Sequence, residues 1–141
     1  MLKNKMTKLL KIEYPIIQAP MAGGITTSNL VAEVSNAGGL GMIGAGYMTP
    51  NQIREQIKEI KQLTSKPFGI NIFVPNEFAY ADSEVKLAKQ LLQPIRNQLH
   101  INEDPTIDIP TCNQVFDTFN EQIKVVIEEK VPVCDWQDYP K

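Results

Sequence analysis

The stretch Pro15-Ile-Ile-Gln18-Ala-Pro20-Met21-Ala-Gly23-Gly24 has the composition of a ligand loop. Tyr14 to Ile17 is a short apolar, β-branched run of the kind found in a buried parallel strand, while Pro20 and Gly23-Gly24 cannot continue a central ladder. A loop therefore opens at the C-terminal end of a strand. In α/β proteins that edge binds ligands, because helix N-termini and free backbone amides converge there. Asn71 lies within another apolar run, Pro67 to Val74, and its amide can both donate and accept a hydrogen bond. Taken alone, an Asn at the end of a strand ordinarily caps the following loop.

Other chemistry-bearing residues have plainer readings. Gly39-Leu-Gly41-Met-Ile-Gly44 satisfies the dinucleotide pattern GxGxxG, yet no helix opens directly after Gly44, so close helix-strand packing explains the glycines better. His100 is the only histidine and has no strand end nearby, which argues against a general base. Cys112 and Cys134 form no CxxC and have no clustered His; two such cysteines in a cytosolic chain stay thiols, and no metal is indicated. Phe116 and Phe119 stand at helical spacing and read as packing.

These residues need a scaffold, and the chain alternates strand-like with helix-like segments. Thr26 or Thr27 can cap a helix with Leu30, Val31, Val34 and Ala37 on one face, stopped by Gly38-Gly39. Leu40 to Gly44 is a second buried strand. Thr49-Pro50-Asn-Gln52 combines a cap, a proline at the first helical position and a capping-box glutamine, and Ile53, Ile57 and Ile60 supply a buried stripe. Pro67 to Val74 is a third strand, so strands start near residues 12, 40 and 68, the pitch of βα units in a parallel sheet.

Residues 75–111 interrupt this rhythm and read as an insertion: Ser83 caps a helix with Val85, Ala88, Leu91 and Leu92, Pro94 kinks or ends it, and Asn102 to Pro110 is loop. Asn113 caps a further helix bearing Val115, Phe116, Phe119, Ile123 and Val126, and Val131-Pro-Val133 begins a fourth strand. Residues 134–141 are polar and aperiodic, with no expected role for Trp136 or Tyr139.

At 141 residues, 43% hydrophobic and a formal charge of -2, the chain is expected to form one soluble globular domain. It carries no basic stripe interleaved with aromatics, which argues against nucleic acid. No run approaches the roughly 18 apolar residues of a membrane span, and the N-terminus lacks a continuous apolar segment, so a cytoplasmic setting without membrane partners is expected.

Gln18-Ala-Pro20-Met21-Ala-Gly-Gly24, then Ala37-Gly-Gly-Leu-Gly41-Met-Ile-Gly-Ala-Gly46, then Pro67-Phe-Gly-Ile-Asn71-Ile-Phe-Val74 resemble the N-terminal half of the nitronate monooxygenases, formerly 2-nitropropane dioxygenases. The resemblance extends through Glu121 to Val133. It implies an α/β fold, a partial TIM (β/α)8 barrel of about four βα units with a helical insertion after the third strand; a whole barrel needs roughly 250 residues. It implies FMN as cofactor, with the backbone of Ala19, Pro20 and Met21 against the isoalloxazine ring and the Asn71 side chain hydrogen-bonded to the flavin. A flat polarizable ring suits close backbone approach and a thioether, and an amide suits a pyrimidine edge.

By the same resemblance the reaction is oxidation of an alkyl nitronate with dioxygen to a carbonyl compound and nitrite. No catalytic residue is assigned, because the family's histidine base and phosphate loops come from later strands. Residues 1–133 are then the N-terminal half of the FMN domain and residues 134–141 a divergent tail, the mark of truncation or frameshift. Two alternatives stand beside this: a flavin-dependent enoyl-acyl carrier protein reductase using NAD(P)H, and a non-catalytic half-barrel that self-associates through its exposed sheet edge.

Overall fold

The chain enters through a short helix, α1 (Lys5–Leu10), closed by a reciprocal cap in which Asn4 Oδ1 accepts from the Thr7 N–H at 3.0 Å and Thr7 Oγ1 accepts from the Asn4 N–H at 2.9 Å. The computed structural model describes residues 3–101 and 109–138, without the side chains of residues 136–138. The described residues divide into two units. One comprises those within Met1–Asn76 and Phe116–Lys141, and the other is Glu77–Val115.

In the first unit the elements follow the rhythm read from the sequence. Helix α2 (Ser28–Asn36) is capped by Thr27, whose side chain accepts from the Leu30 N–H. Strand β1 (Gly41–Gly44) follows, then α3 (Pro50–Leu63), which begins with the expected Thr49–Gln52 capping box and proline. Strand β2 (Phe68–Val74) comes next. After the second unit, α5 (Cys112–Glu128) leads to β3 (Val133–Asp138). The sheet is parallel in the order β1-β2-β3.

At the first strand, the last strand and the start of α5 the structure differs from the sequence reading. Tyr14 to Ile17 contributes only an isolated parallel bridge, Ile17 to Leu40, rather than a full strand. Pro15 has no amide, and the Ile16 N–H turns back to the Tyr14 carbonyl at 2.8 Å, so only the Gln18 N–H to Leu40 and Leu40 N–H to Ile16 bonds, both 2.9 Å, join the sheet. The last strand begins at Val133 and continues through residues 134–138, placed beyond the strand start by sequence; backbone pairing with Ile70–Val74 does not depend on side-chain polarity. The cap of α5 is Thr111, which exchanges hydrogen bonds with Gln114, and not Asn113.

Strand alternation divides the sheet into two faces. Ile43, Ala45, Phe68, Ile70 and Ile72 point toward the helices and form one buried cluster with Val31 of α2, Ile53, Ile57 and Ile60 of α3, and Val125 and Val126 of α5. Each buried Val, Ile or Phe side chain of this cluster contributes about 1.5–3 kcal/mol. Leu40 and Met42 point the other way, packing with Ile12, Leu10 and Val133. This second, smaller cluster closes the N-terminal end of the open face.

In the second unit, α4 (Asp82–Gln98) buries no residue. Its N-cap is Ala81, whose N–H donates to the Glu84 carboxylate at 2.8 Å, instead of the expected Ser83. Pro94 is carried inside the helix and neither ends nor replaces it. On an exposed helix the carbonyl that proline leaves unpaired is met by solvent, which lowers the cost. The Tyr80 hydroxyl donates to the Ile109 carbonyl at 3.1 Å. Residues 102–108, most of the expected Asn102–Pro110 loop, lie outside the described residues.

The end of α5 is tied to α3 by charge. Lys61 Nζ donates to the Glu129 carboxylate and to its backbone carbonyl, both at 2.8 Å, and Arg54 spans Glu128 and Glu129. The hydrogen bond from Lys61 is the main cause that holds the Glu129 carboxyl below its ordinary value of 4.5; partial burial opposes it and Arg54 adds to it. A depressed carboxyl stabilises the fold above its unfolded pKa and loses that contribution as pH falls through the folded value. Glu129→Gln should therefore lower the thermal midpoint at neutral pH, with the difference from the parent shrinking steadily below about pH 4.5. Thermal melts followed by circular dichroism across pH 3 to 7 check this.

Candidate functional site

Gln18 is where the broken first strand becomes a loop. Its side chain substitutes for missing ladder: Oε1 accepts from the Met42 N–H at 3.0 Å, and Nε2 donates to the neighbouring Ala19 carbonyl. The chain then passes through Ala19, Pro20 and Met21 over the C-terminal end of β1. Thr26, only 3% exposed, holds the far side of the loop. Its hydroxyl donates to the Met21 carbonyl at 3.2 Å and accepts from the Gly44 N–H at 2.9 Å, while its own carbonyl accepts from Gln56 Nε2 at 2.7 Å.

Contact between loop and strand is direct. A Cβ on Gly44 would stand 2.5 Å from the carbonyl carbon and oxygen of Met21, so only glycine allows the loop to lie there. Gly41 is bare for the same kind of reason on the other face, where a Cβ would meet the Val31 carbonyl oxygen of α2 at 2.1 Å. The glycines of the GxGxxG run therefore serve close packing, against helix α2 at Gly41 as the sequence reading expects, but against the loop at Gly44.

Register brings the predicted residues together. Gly44 pairs with Asn71, and Asn71 pairs with Asp135, so the three form one row across β1, β2 and β3 on the open face. The row beneath it is Met42, Gly69 and Val133, where a Cβ on Gly69 would meet Met42 Sδ at 2.4 Å. That apolar row floors the site. Asn71 is 3% exposed, and its Nδ2 donates to Asp135 Oδ2 at 3.1 Å. Met21 lies against Gly44 and is 39% exposed; Pro20 is partly buried and Ala19 is exposed. The backbone amides of Ala19 and Met21 have no acceptor among the described residues.

The arrangement offers free backbone donors and a thioether from the loop, and an amide beside a carboxylate from the sheet. These suit a flat heteroaromatic ring with a polar edge better than a metal or an extended chain. Among the described residues no group of His, Cys, Asp and Glu could hold a metal ion. His100 belongs to the second unit, where it is exposed with a left-handed backbone. Burial, and secondarily Asp135, raises the Cys134 thiol above its ordinary value, so it stays protonated on the helix-facing side. Tyr47 and Phe73 meet edge to face, with ring centroids 5.4 Å apart, at the same end of the strands. A wide groove of about 780 Å³ opens on the other side of the loop, between α2 and α3 and lined by Gly23, Gly24, Gln52, Gln56 and Glu59. It does not include Asn71.

Three contributors escape a reading by residue type. Thr26 read as a helix cap alone, Gln18 as a loop residue, and Asp135 as part of an unpatterned tail. Gln18 and Thr26 act through backbone partners distant in sequence, and only the register places Asp135.

A parallel three-stranded sheet with helices on one face and a glycine-backed loop over its C-terminal edge defines an α/β chain. The family model described as "Nitronate monooxygenase" matches residues 3–138, and the chain belongs to that family. The match, like β3, continues past residue 133. A relative named probable nitronate monooxygenase from Staphylococcus aureus is 47% identical over 132 residues, covering 94% of this chain and 36% of the relative. Among solved structures, a nitroalkane oxidase from Streptomyces ansochromogenes has a TM-score of 0.76 and 32% identity, covering 93% of this chain and 35% of its own. FabK from Thermotoga maritima has a TM-score of 0.63 and 33% identity, covering 96% and 30%. The chain thus spans little more than a third of the length of the curated relatives it matches.

Two substitutions test how the loop is held. Thr26→Val keeps the shape but leaves the Met21 carbonyl and Gly44 N–H without their buried partner, and should cost about 1–3 kcal/mol in urea denaturation. Gly44→Ala should cost a similar amount, about 1–3 kcal/mol, and expose the Gln18–Gly24 segment to limited proteolysis.

Proposed function

We propose that this chain is the N-terminal part of an FMN-dependent nitronate monooxygenase, which oxidises alkyl nitronates with dioxygen to carbonyl compounds and nitrite. The observation that carries this reading is the Gln18–Thr26 loop locked on Gly44, with Asn71 in the same row. Family membership and the likeness to a nitroalkane oxidase support it. On this reading the parallel sheet is the opening portion of a (β/α)8 barrel, and the open face looks into it. The unit Glu77–Val115 is the insertion after the third strand of that barrel, the bridging segment at Ile17 being the first.

FMN, when bound, supplies two-electron oxidation and reduction. The chain's own contribution is positional. The backbone of Ala19, Pro20 and Met21 would form one wall against the ring, with Met21, an exposed residue, adding a thioether, and Asn71 would offer its amide to the polar edge. The Met42, Gly69 and Val133 row keeps water from the N-terminal side. Ala19, Pro20, Met21 and Asn71 hold one side of the cofactor only. The base and the phosphate cradle belong to the portion of the relatives that this chain does not span, which assigns it a cofactor-wall role and no catalytic residue.

The test is direct. Protein mixed with FMN and then desalted should retain a yellow flavin band, and Asn71→Ala should weaken binding by about tenfold. Protein that stays colourless at every FMN concentration overturns the flavin reading. For bound protein, nitrite release from a nitronate without NAD(P)H supports the monooxygenase. The FabK likeness favours one competing activity, reduction of an enoyl thioester at the expense of NAD(P)H, and the same preparation distinguishes it.

We also infer a cytoplasmic protein that self-associates. No described helix is long and apolar enough to cross a membrane, and Ile16 and Ile17 are 62% and 52% exposed beside the interrupted first strand. Size-exclusion chromatography with light scattering should show a concentration-dependent mass above that of the monomer; a constant monomer mass contradicts it.

A further inference from the structure

The row Gly44, Asn71, Asp135 holds a carboxylate, that of Asp135, which the wall role leaves unused. Two polar side chains stand on adjacent parallel strands at matched register on one face, the Asn71 amide donating to the Asp135 carboxylate at 3.1 Å. Their neighbour Gly44 has no side chain, and the row beneath is apolar. Asn71 is buried while Asp135 is exposed, so the carboxylate reaches the open side of the pair. One Asp135 oxygen engages Asn71, and a carboxylate retains further acceptor capacity. Asn71 Nδ2 has a second N–H. The pair therefore offers, side by side, one donor and one strong acceptor.

We propose that Asn71 and Asp135 together read an imide edge, a ring N–H beside a ring carbonyl: Asp135 accepts from the N–H while Asn71 donates to the carbonyl. This rests on the flavin reading above, since the pyrimidine half of the isoalloxazine carries such an edge at N3 and its adjacent carbonyls. It adds Asp135 as a specificity-determining residue. An acceptor that is ionised makes the stronger kind of hydrogen bond, and a ring lacking the N–H leaves the carboxylate facing a group that cannot donate.

N3-methyl-FMN tests the proposal without altering the protein, because it removes that one donor and keeps the rest of the ring system. Dissociation constants for FMN and N3-methyl-FMN are measured with the full chain by quenching of flavin fluorescence. FMN should bind about tenfold more tightly than its N3-methyl form, and Asp135→Ala should bring the two to equal affinity. Asp135→Asn keeps an acceptor oxygen and the contact to Asn71, and should retain part of the discrimination. Equal binding of the two flavins to the parent chain overturns the role of Asp135 and leaves the flavin reading standing. Discrimination that persists undiminished in a folded Asp135→Ala protein also overturns it. Failure of either flavin to bind a chain that is folded by circular dichroism overturns the flavin reading and this inference together.

Discussion

The hydroxyl of Thr26 is the interaction on which the rest of the site depends. It stands between the Met21 carbonyl and the Gly44 N–H, satisfying one acceptor and one donor that the loop and the strand end would otherwise leave unpaired. Because Gly44 has no Cβ, the two backbones come into contact, and the loop takes its position from the sheet. Gln18 repeats the device at the other end of the loop by accepting from the Met42 N–H. A segment with almost no ladder of its own is thereby held at two points, by buried Thr26 and half-buried Gln18. Such pre-positioning lowers the ordering cost of any binding at this loop.

The sheet itself works through alternation. Residues pointing one way, Ile43, Ile70 and Ile72 among them, join three helices in a single apolar cluster, and residues pointing the other way build the floor and polar row of the site. Stability and chemistry are separated by the two-residue period of the strand. Cys134 and Asp135 illustrate the separation. The thiol is turned into the helix side and kept protonated by burial, and the carboxylate one residue later is turned to Asn71.

The outer edge is secured differently. Arg54 and Lys61 of α3 converge on Glu128 and Glu129 at the end of α5, just before β3 begins. These pairs are partly exposed, and each alone would count for little. Their importance is positional, since the turn they hold delivers β3 to β2 and so places Asp135 beside Asn71.

Much of this was legible in residue order. The Thr49 and Gln52 capping box, the Ile53, Ile57 and Ile60 stripe, the apolar strands at Leu40–Gly44 and Pro67–Val74, and the glycine-closed loop after Gln18 are local signals. Each depends on neighbours within a few positions, and the structure agrees with each. Local signals misjudged the ends. Pro15 and the turned-back Ile16 amide reduce the first strand to one bridge, Ala81 and Thr111 start helices assigned to Ser83 and Asn113, and Pro94 sits within a helix. Sequence alone determined the order of elements, the glycine-closed loop after Gln18 and the family the motifs resemble. Tertiary structure alone decided that Thr26 and Gln18 hold that loop and that Asp135 meets Asn71, because parallel pairing joins residues 64 positions apart through backbone register, which no side-chain pattern records.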